Sequence, residues 1–524
     1  MSRRARGPVR STPRRLVLPA TVLALVLAPL PGPGADAQDT TTAPGTTSVT
    51  APPDDATTTG PTTTDATPDG AATTQQPDDA AVTTDAPREP ADVRPRIRPA
   101  ESPLGQVVNG AVPSPETLSE ALEDELGSSW LGPSKRRSVT VRDALTGQHL
   151  HDTNADRLSI PASTTKILAA AAIVTALPTE TTFTTKVVAG PTPQEVVLVA
   201  GGDMLLARGK GDPEAVAGRV GVADLAAQTA AALEEQGVEG TVTVRLDLDH
   251  VAGPTVLDTW TEDWVRYGYA GRIVQLGLAE DLALPFAASP SSPPQEVAAA
   301  FRTALAAEGV EVKDGDDPEE RAERVSTDPG DEVLASGQSA PLRDVLALAL
   351  ATSDNAMVEQ LSRQAAVAAG RTADQEAVTA WVAAAVEETY GVDLEGVRIA
   401  DTSGLSDGTR IPVRAVADVL VAGADGSHPP LQEVLAAGGL PIAGYTGTLA
   451  TRFHLPVHAA GVGNGRAKTG SLPGVTSLAG TVVTRDGRLL VYAMTADKIG
   501  EDGAVLEARS VLDEVVAQLA RCGC

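Results

Sequence analysis

The chain has 524 residues, too many for one ordinary domain and enough for two or three. A net charge of −28 and a pI near 4.6 exclude a nucleic-acid binder, which needs clustered positive charge. The six histidines are scattered without ligand spacing, and the only cysteines, Cys522 and Cys524, flank one glycine at the C-terminus, so neither a zinc site nor a disulfide framework organises the fold.

Residues 1–37 read as an export signal: six arginines from Arg3 to Arg15, an apolar run from Leu16 to Leu30, and Ala35-Asp36-Ala37 as a cleavage pattern. The run holds fifteen residues and is broken by Pro19 and Pro29, short of the ~20 that a spanning helix needs. An uncleaved membrane anchor is the alternative. Residues 38–100 are rich in Thr, Pro, Asp and Ala with almost no large apolar side chain. Such a segment cannot offset its ordering entropy, so it reads as a disordered spacer.

Globular sequence begins near Glu101. Pro115 to Leu122 forms a short helix with Ser114 as N-cap, and Ser138 to Asp143 alternates as a strand. Ser163 follows a proline and a small residue and precedes an Ala/Leu/Ile run, which places it at a helix start. Residues 180–332 read as an insert with its own small core, containing strands at 186–188, 196–199 and 241–246 and helices at 222–236 and 295–308. The aromatic cluster Trp260, Trp264, Tyr267 and Tyr269 reads as part of a core, and Asp203 as a turn residue. A helix pair over 342–369 is interrupted at Thr352-Ser353-Asp354-Asn355, and another helix covers 373–390. Strands at 477–484 and 488–495, joined by Asp486-Gly487, form a hairpin, and a helix over 504–519 closes the chain. Early strands, central helices and late strands give an α/β (α+β) fold. Its sheet is assembled from both ends of the chain (101–179 and 333–524) and flanked by helices.

Three segments carry chemistry. Lys166 lies one helical turn from Ser163, so a nucleophile faces an amine that can act as its base. That role requires a lowered amine pKa, expected from burial and from a second cation, Lys468. Ser353 and Asn355 sit where a helical pattern breaks, as a loop must to aim side chains into a cleft. Ser353 suits a proton relay and Asn355 suits holding the substrate backbone and orienting Lys166. Asp354 between them reads as solvent-facing or structural. Lys468-Thr469-Gly470-Ser471 opens the late strands, where the glycine permits close approach by a ligand. Lys468 and Thr469 suit a substrate carboxylate, and the backbone N–H groups of Ser163 and Ser471 suit an oxyanion hole. None of this chemistry needs a metal or cofactor.

In order and combination these segments are those of penicillin-recognising serine enzymes. With Leu198 to Asp203, Asp401-Thr402-Ser403-Gly404-Leu405-Ser406, Leu440 to Gly444, Gly447-Thr448-Leu449 and Leu472 to Gly480, the chain resembles the D-alanyl-D-alanine carboxypeptidase/endopeptidase family of class C low-molecular-mass penicillin-binding proteins over roughly 101–520. The resemblance implies a penicillin-binding-protein/β-lactamase-like transpeptidase domain with an inserted smaller domain. It implies removal of the terminal D-alanine from peptidoglycan stem peptides, cleavage of cross-links, and acylation by β-lactam antibiotics. It makes Ser163 the nucleophile, Lys166 the base, Ser353 and Asn355 the second motif and Lys468 to Ser471 the third. Two features depart from the family: only 190 residues separate Ser163 from Ser353, and the third motif ends in Ser where Thr is usual. A serine β-lactamase and an inactive wall-binding protein of the same fold stand as alternatives. An exported, extracytoplasmic location follows from the N-terminus.

Overall fold

A computed structural model describes residues 107–313, 322–500 and 504–523. The expected export signal and spacer lie outside these residues. The chain enters through α1 (Pro115–Ala121), α2 (Glu123–Gly127), β1 (Arg137–Asp143) and β2 (His149–Thr153), and reaches α3 (Thr165–Ala176). A middle block follows: β3 (Thr184–Ala189), β4 (Glu195–Val199), β5 (Asp203–Leu206), α4 (Val222–Glu235), β6 (Thr243–Asp247), α5 (Glu262–Arg266), β7 (Leu276–Leu278), α6 (Pro293–Ala307) and β8 (Val333–Gln338). Next come α7 (Leu342–Thr352), α8 (Asn355–Ala368), α9 (Gln375–Tyr390), α10 (Val413–Ala424) and α11 (Pro429–Val434). The strands β9 (Gly465–Leu472), β10 (Val475–Val483) and β11 (Leu489–Asp497) precede α12 (Ala504–Arg521).

The principal sheet has the order β2-β1-β11-β10-β9 and is antiparallel throughout, so both ends of the chain do build it. Its central strands are covered on both faces. In β10 and β11, Leu478, Leu490, Tyr492 and Met494 pack toward α12, while Ala479, Val491 and Ala493 join the core that holds α3, α7, α8, α9 and α10. This is the period-two alternation of a strand, with apolar residues on both sides because both sides are buried. α3 is buried all round from Thr165 to Val174, as its uniformly apolar sequence requires.

The middle block has a second sheet of order β6-β4-β3-β8, in which β4 and β6 run parallel. Its own core gathers Val187, Leu198, Leu225, Val244, Phe301 and Leu334. β8 pairs with β3, so the block's strands continue to Gln338 and do not end at 332. Phe183, Met204, Leu205, Trp260 and Ile273 pack into the principal core, so the block is fused to the main body and not separately cored along that side. Asp203 begins a strand and is buried, where the sequence suggested a turn. Cys522, just past the end of α12, is buried in the core on that side of the sheet; Cys524 lies outside the described residues.

Candidate active site

Ser163 lies in a single 3-10 turn, Ala162–Thr164, that leads into α3. The turn is fastened to the sheet: Ser477 Oγ on β10 donates to the Pro161 carbonyl at 2.7 Å, and Thr495 Oγ1 on β11 donates to the Ile160 carbonyl at 3.0 Å. Ala162 is held at φ 48°, a left-handed conformation that costs a non-glycine residue about 1–3 kcal/mol. Those hydroxyl bonds help hold the strained turn in place.

Lys166, in the first turn of α3, is fully buried, and its Nζ has three acceptors from three segments. It donates to Ser163 Oγ at 3.0 Å, to Asn355 Oδ1 at 2.5 Å and to the Ser403 carbonyl at 2.7 Å. Burial pushes its pKa down to about 8, against the opposing pull of Asp401, Glu359 and Asp354. At pH 7 that raises the neutral fraction from about one in three thousand for an ordinary lysine to about one in ten. Desolvation, and not the expected neighbouring cation, is the cause. Repulsion between the lysines falls on Lys468, whose pKa lies well below the usual range through burial first and Lys166 second.

The break between α7 and α8 is built by Ser353 and Asp354. Ser353 is left-handed at φ 61° and caps the end of α7. Asp354 caps α8, its Oδ1 accepting the Met357 N–H at 2.8 Å, which settles it as structural. Asn355 then opens α8, and its Nδ2 donates to the Tyr269 carbonyl at 2.6 Å. Among the described residues no hydrogen bond joins Ser353 Oγ to Ser163, Lys166 or Lys468.

Lys468, Thr469, Gly470 and Ser471 lie within β9, the edge strand, whose outer side is bridged at Arg466 by Ile442, just ahead of these four residues. Alternation turns Lys468 and Gly470 toward α3 and Thr469 and Ser471 toward the other face. A Cβ on Gly470 would stand 2.1 Å from Ser477 Oγ and 3.0 Å from the Ser163 nitrogen, so glycine is required for β9 to lie against the serine. Lys468 is buried and donates to the Thr469 carbonyl at 2.9 Å. The Thr469 hydroxyl pairs with that of Thr448 at 2.9 Å, and Ser471 Oγ accepts from Arg509 Nε at 3.2 Å. The structure thus joins Ser163, Lys166 and Asn355 directly and brings Gly470 to the same turn. A separate cavity of about 420 Å³ lined by Arg142, His149 and Arg414 lies at the opposite, β1–β2 edge of the sheet and contains none of these residues.

The profile of the D-Ala-D-Ala carboxypeptidase 3 (S13) family matches residues 118–289 and 278–519. The chain belongs to this family. It is 32% identical to carboxypeptidase DacB of Mycolicibacterium smegmatis over 83% of this chain and 89% of that protein. It is 33% identical to carboxypeptidase Rv3627c of Mycobacterium tuberculosis over 79% of this chain and 86% of that one. Penicillin-binding protein 4 of Haemophilus influenzae shares the fold, with a TM-score of 0.59, 19% identity, and coverage of 78% of this chain and 98% of that one. The chain is therefore a carboxypeptidase-class enzyme among the class C low-molecular-mass penicillin-binding proteins, with their mixed fold of an antiparallel sheet flanked by helices.

Two contributors to this S13 site carry no role in the sequence reading. The carbonyls of Ser403 and Tyr269 hold Lys166 and Asn355, and a backbone acceptor leaves no side-chain signature. The segments do leave a trace: Asp401 to Ser406 is among the stretches of resemblance, and Tyr269 lies in the aromatic cluster. Trp260 of that cluster is core, as expected, and its Nε1 donates to Asp401 Oδ2 at 2.8 Å.

Proposed function

We propose that the protein is an exported serine D-Ala-D-Ala carboxypeptidase that acts on peptidoglycan stem peptides through an acyl-enzyme on Ser163. The observation that carries this reading is the 3.0 Å contact between Ser163 Oγ and a fully buried lysine whose pKa is depressed to about 8. Neutral Lys166 takes the hydroxyl proton as Oγ attacks the carbonyl of the penultimate D-alanine. The N–H groups of Ser163 and Ser471 receive the developing oxyanion, a type of contact worth about 10²–10³ in rate per donor. Lys166 passes the proton on to the leaving amine, the C–N bond breaks and D-alanine departs. Water, deprotonated by the same amine, then attacks the ester; the bond to Ser163 Oγ breaks, Oγ takes the proton back from Lys166, and the shortened peptide leaves. Lys468, whose lowered pKa an incoming carboxylate would raise again, and Thr469 are the side chains offered to the substrate's terminal carboxylate, and Asn355 orients Lys166.

β-Lactams present the same kind of carbonyl and acylate the same hydroxyl. The names of the mycobacterial relatives support the carboxypeptidase reading, and a solved complex of the H. influenzae protein with a β-lactam is consistent with this partner. Cleavage of cross-linked dimers requires only that the leaving amine carry a longer chain. Export by residues 1–37 and a spacer over 38–100 would hold the enzyme in the wall or near a membrane; among the described residues no helix is long and apolar enough to cross one. The test is release of free D-alanine from a purified stem pentapeptide, with a cross-linked muropeptide dimer in parallel. Release by wild type that disappears in Ser163→Ala supports the reading, and binding without release overturns it. Dimer cleavage decides the endopeptidase activity.

A further inference from the structure

The turn Asp401 to Ser406 carries no side chain that reaches Ser163, yet its backbone touches both reactive segments. The Ser403 carbonyl accepts a hydrogen bond from Lys166 Nζ at 2.7 Å, and Gly404, at φ 79°, lies so close to the nucleophile's turn that a Cβ there would stand 2.0 Å from the Ala162 oxygen. Asp401 shapes the turn from inside. Its Oδ1 accepts the Gly404 N–H at 2.6 Å, and its Oδ2 accepts the Ser406 N–H at 2.8 Å and the Ser406 hydroxyl at 2.6 Å.

That leaves the Ser403 N–H. It is buried and donates to Glu359 Oε1 at 2.7 Å. Glu359 is 5% exposed and lies four residues beyond Asn355 on α8, so both side chains share one helix face. α8 therefore holds Lys166 twice, directly through Asn355 and indirectly through the residue whose carbonyl the amine meets.

We infer that Glu359 is a positioning residue for Lys166, fixing Ser403 by its N–H so that the Ser403 carbonyl stays on the amine. This inference rests on the reading of Lys166 as the base. The groups with which Glu359 interacts electrostatically are Asp401 across the turn, Lys166 on α3 and Arg363 one turn along α8. Burial and then Asp401 push its pKa up to about 7, and its charge in turn helps keep Lys166 protonated. Glu359 thus has two separable effects: an acceptor that glutamine preserves, and a negative charge that glutamine removes.

The experiment measures acylation of the full chain by a fluorescent penicillin from about pH 5.5 to pH 9, using wild type, Glu359→Gln and Glu359→Ala. Glu359→Gln keeps the alkaline plateau within a few-fold, and its acid limb moves to lower pH because a carboxylate that favours the ammonium is gone. Glu359→Ala leaves the buried Ser403 N–H without an acceptor and lowers the rate by about 10- to 100-fold at every pH. An acid limb in Glu359→Gln that coincides with wild type, together with equal losses for both variants, overturns the inference and reduces Glu359 to a packing role. If Glu359→Ala does not fold, the position of the Glu359→Gln limb decides alone. A wild type that penicillin does not acylate at all refutes the proposed function instead.

Discussion

The principal sheet region and the middle block each bury an ionisable group, and the two fare differently. Lys166 is fully buried and Asp203 is 4% exposed, and desolvation drives both toward neutrality, the lysine down to about 8 and the aspartate up to about 6. Lys166 meets acceptors from three segments, among them a serine hydroxyl, whereas the Asp203 carboxylate accepts the nearby Leu205 N–H at 2.8 Å. Burial alone sets the direction of a pKa. Convergence of α3, α8 and the 401–406 turn on one amine is what makes the shifted group useful for catalysis.

The largest effect expected from this contrast is at the amine. Lys166→Ala removes the base and lowers D-alanine release by about 10²–10⁴-fold while the fold persists, as followed by circular dichroism. Gly470→Val follows. Its side chain would meet Ser477 Oγ and the Ser163 nitrogen, forcing β9 from the nucleophile. A loss of about 10²-fold in acylation rate, with the larger part in kcat, is the expected reading.

Asp203→Asn should act on stability and not on turnover. A folded pKa raised above the unfolded value means that the native state binds the extra proton, so wild type loses stability as pH rises from about 4 to about 6 and carries the whole penalty above that. The asparagine variant lacks this loss and gains up to about 3 kcal/mol at neutral pH in urea unfolding. If it impaired D-alanine release as strongly as Lys166→Ala, the contrast between the two regions would fail. Smallest is Ser114→Ala, which removes the α1 cap that accepts the Thr117 N–H and costs about 1 kcal/mol without touching activity.

What the sequence discloses follows from how local each signal is. Ser163 and Lys166 are three residues apart, the cap at Ser114 is a one-turn pattern, and the Asp486-Gly487 hairpin is closed within a few residues, so each is readable in a short window. The end of the middle block is not, because β8 is assigned by pairing with β3, more than a hundred residues earlier. The depressed pKa of Lys166 and burial as its cause were both expected, whereas the second expected cause, a neighbouring cation, plays no part; how deeply α3 is covered depends on packing from the whole chain. Glu359 sits in a helix whose pattern marks it only as one more polar residue. Its partner is a backbone N–H, and no residue type announces that.

The central claim is that Ser163 forms a covalent ester, and intact-mass spectrometry after incubation with penicillin tests it most directly. Wild type should gain the mass of one penicillin and Ser163→Ala none. An unmodified wild type, or an adduct that survives in Ser163→Ala, would contradict it.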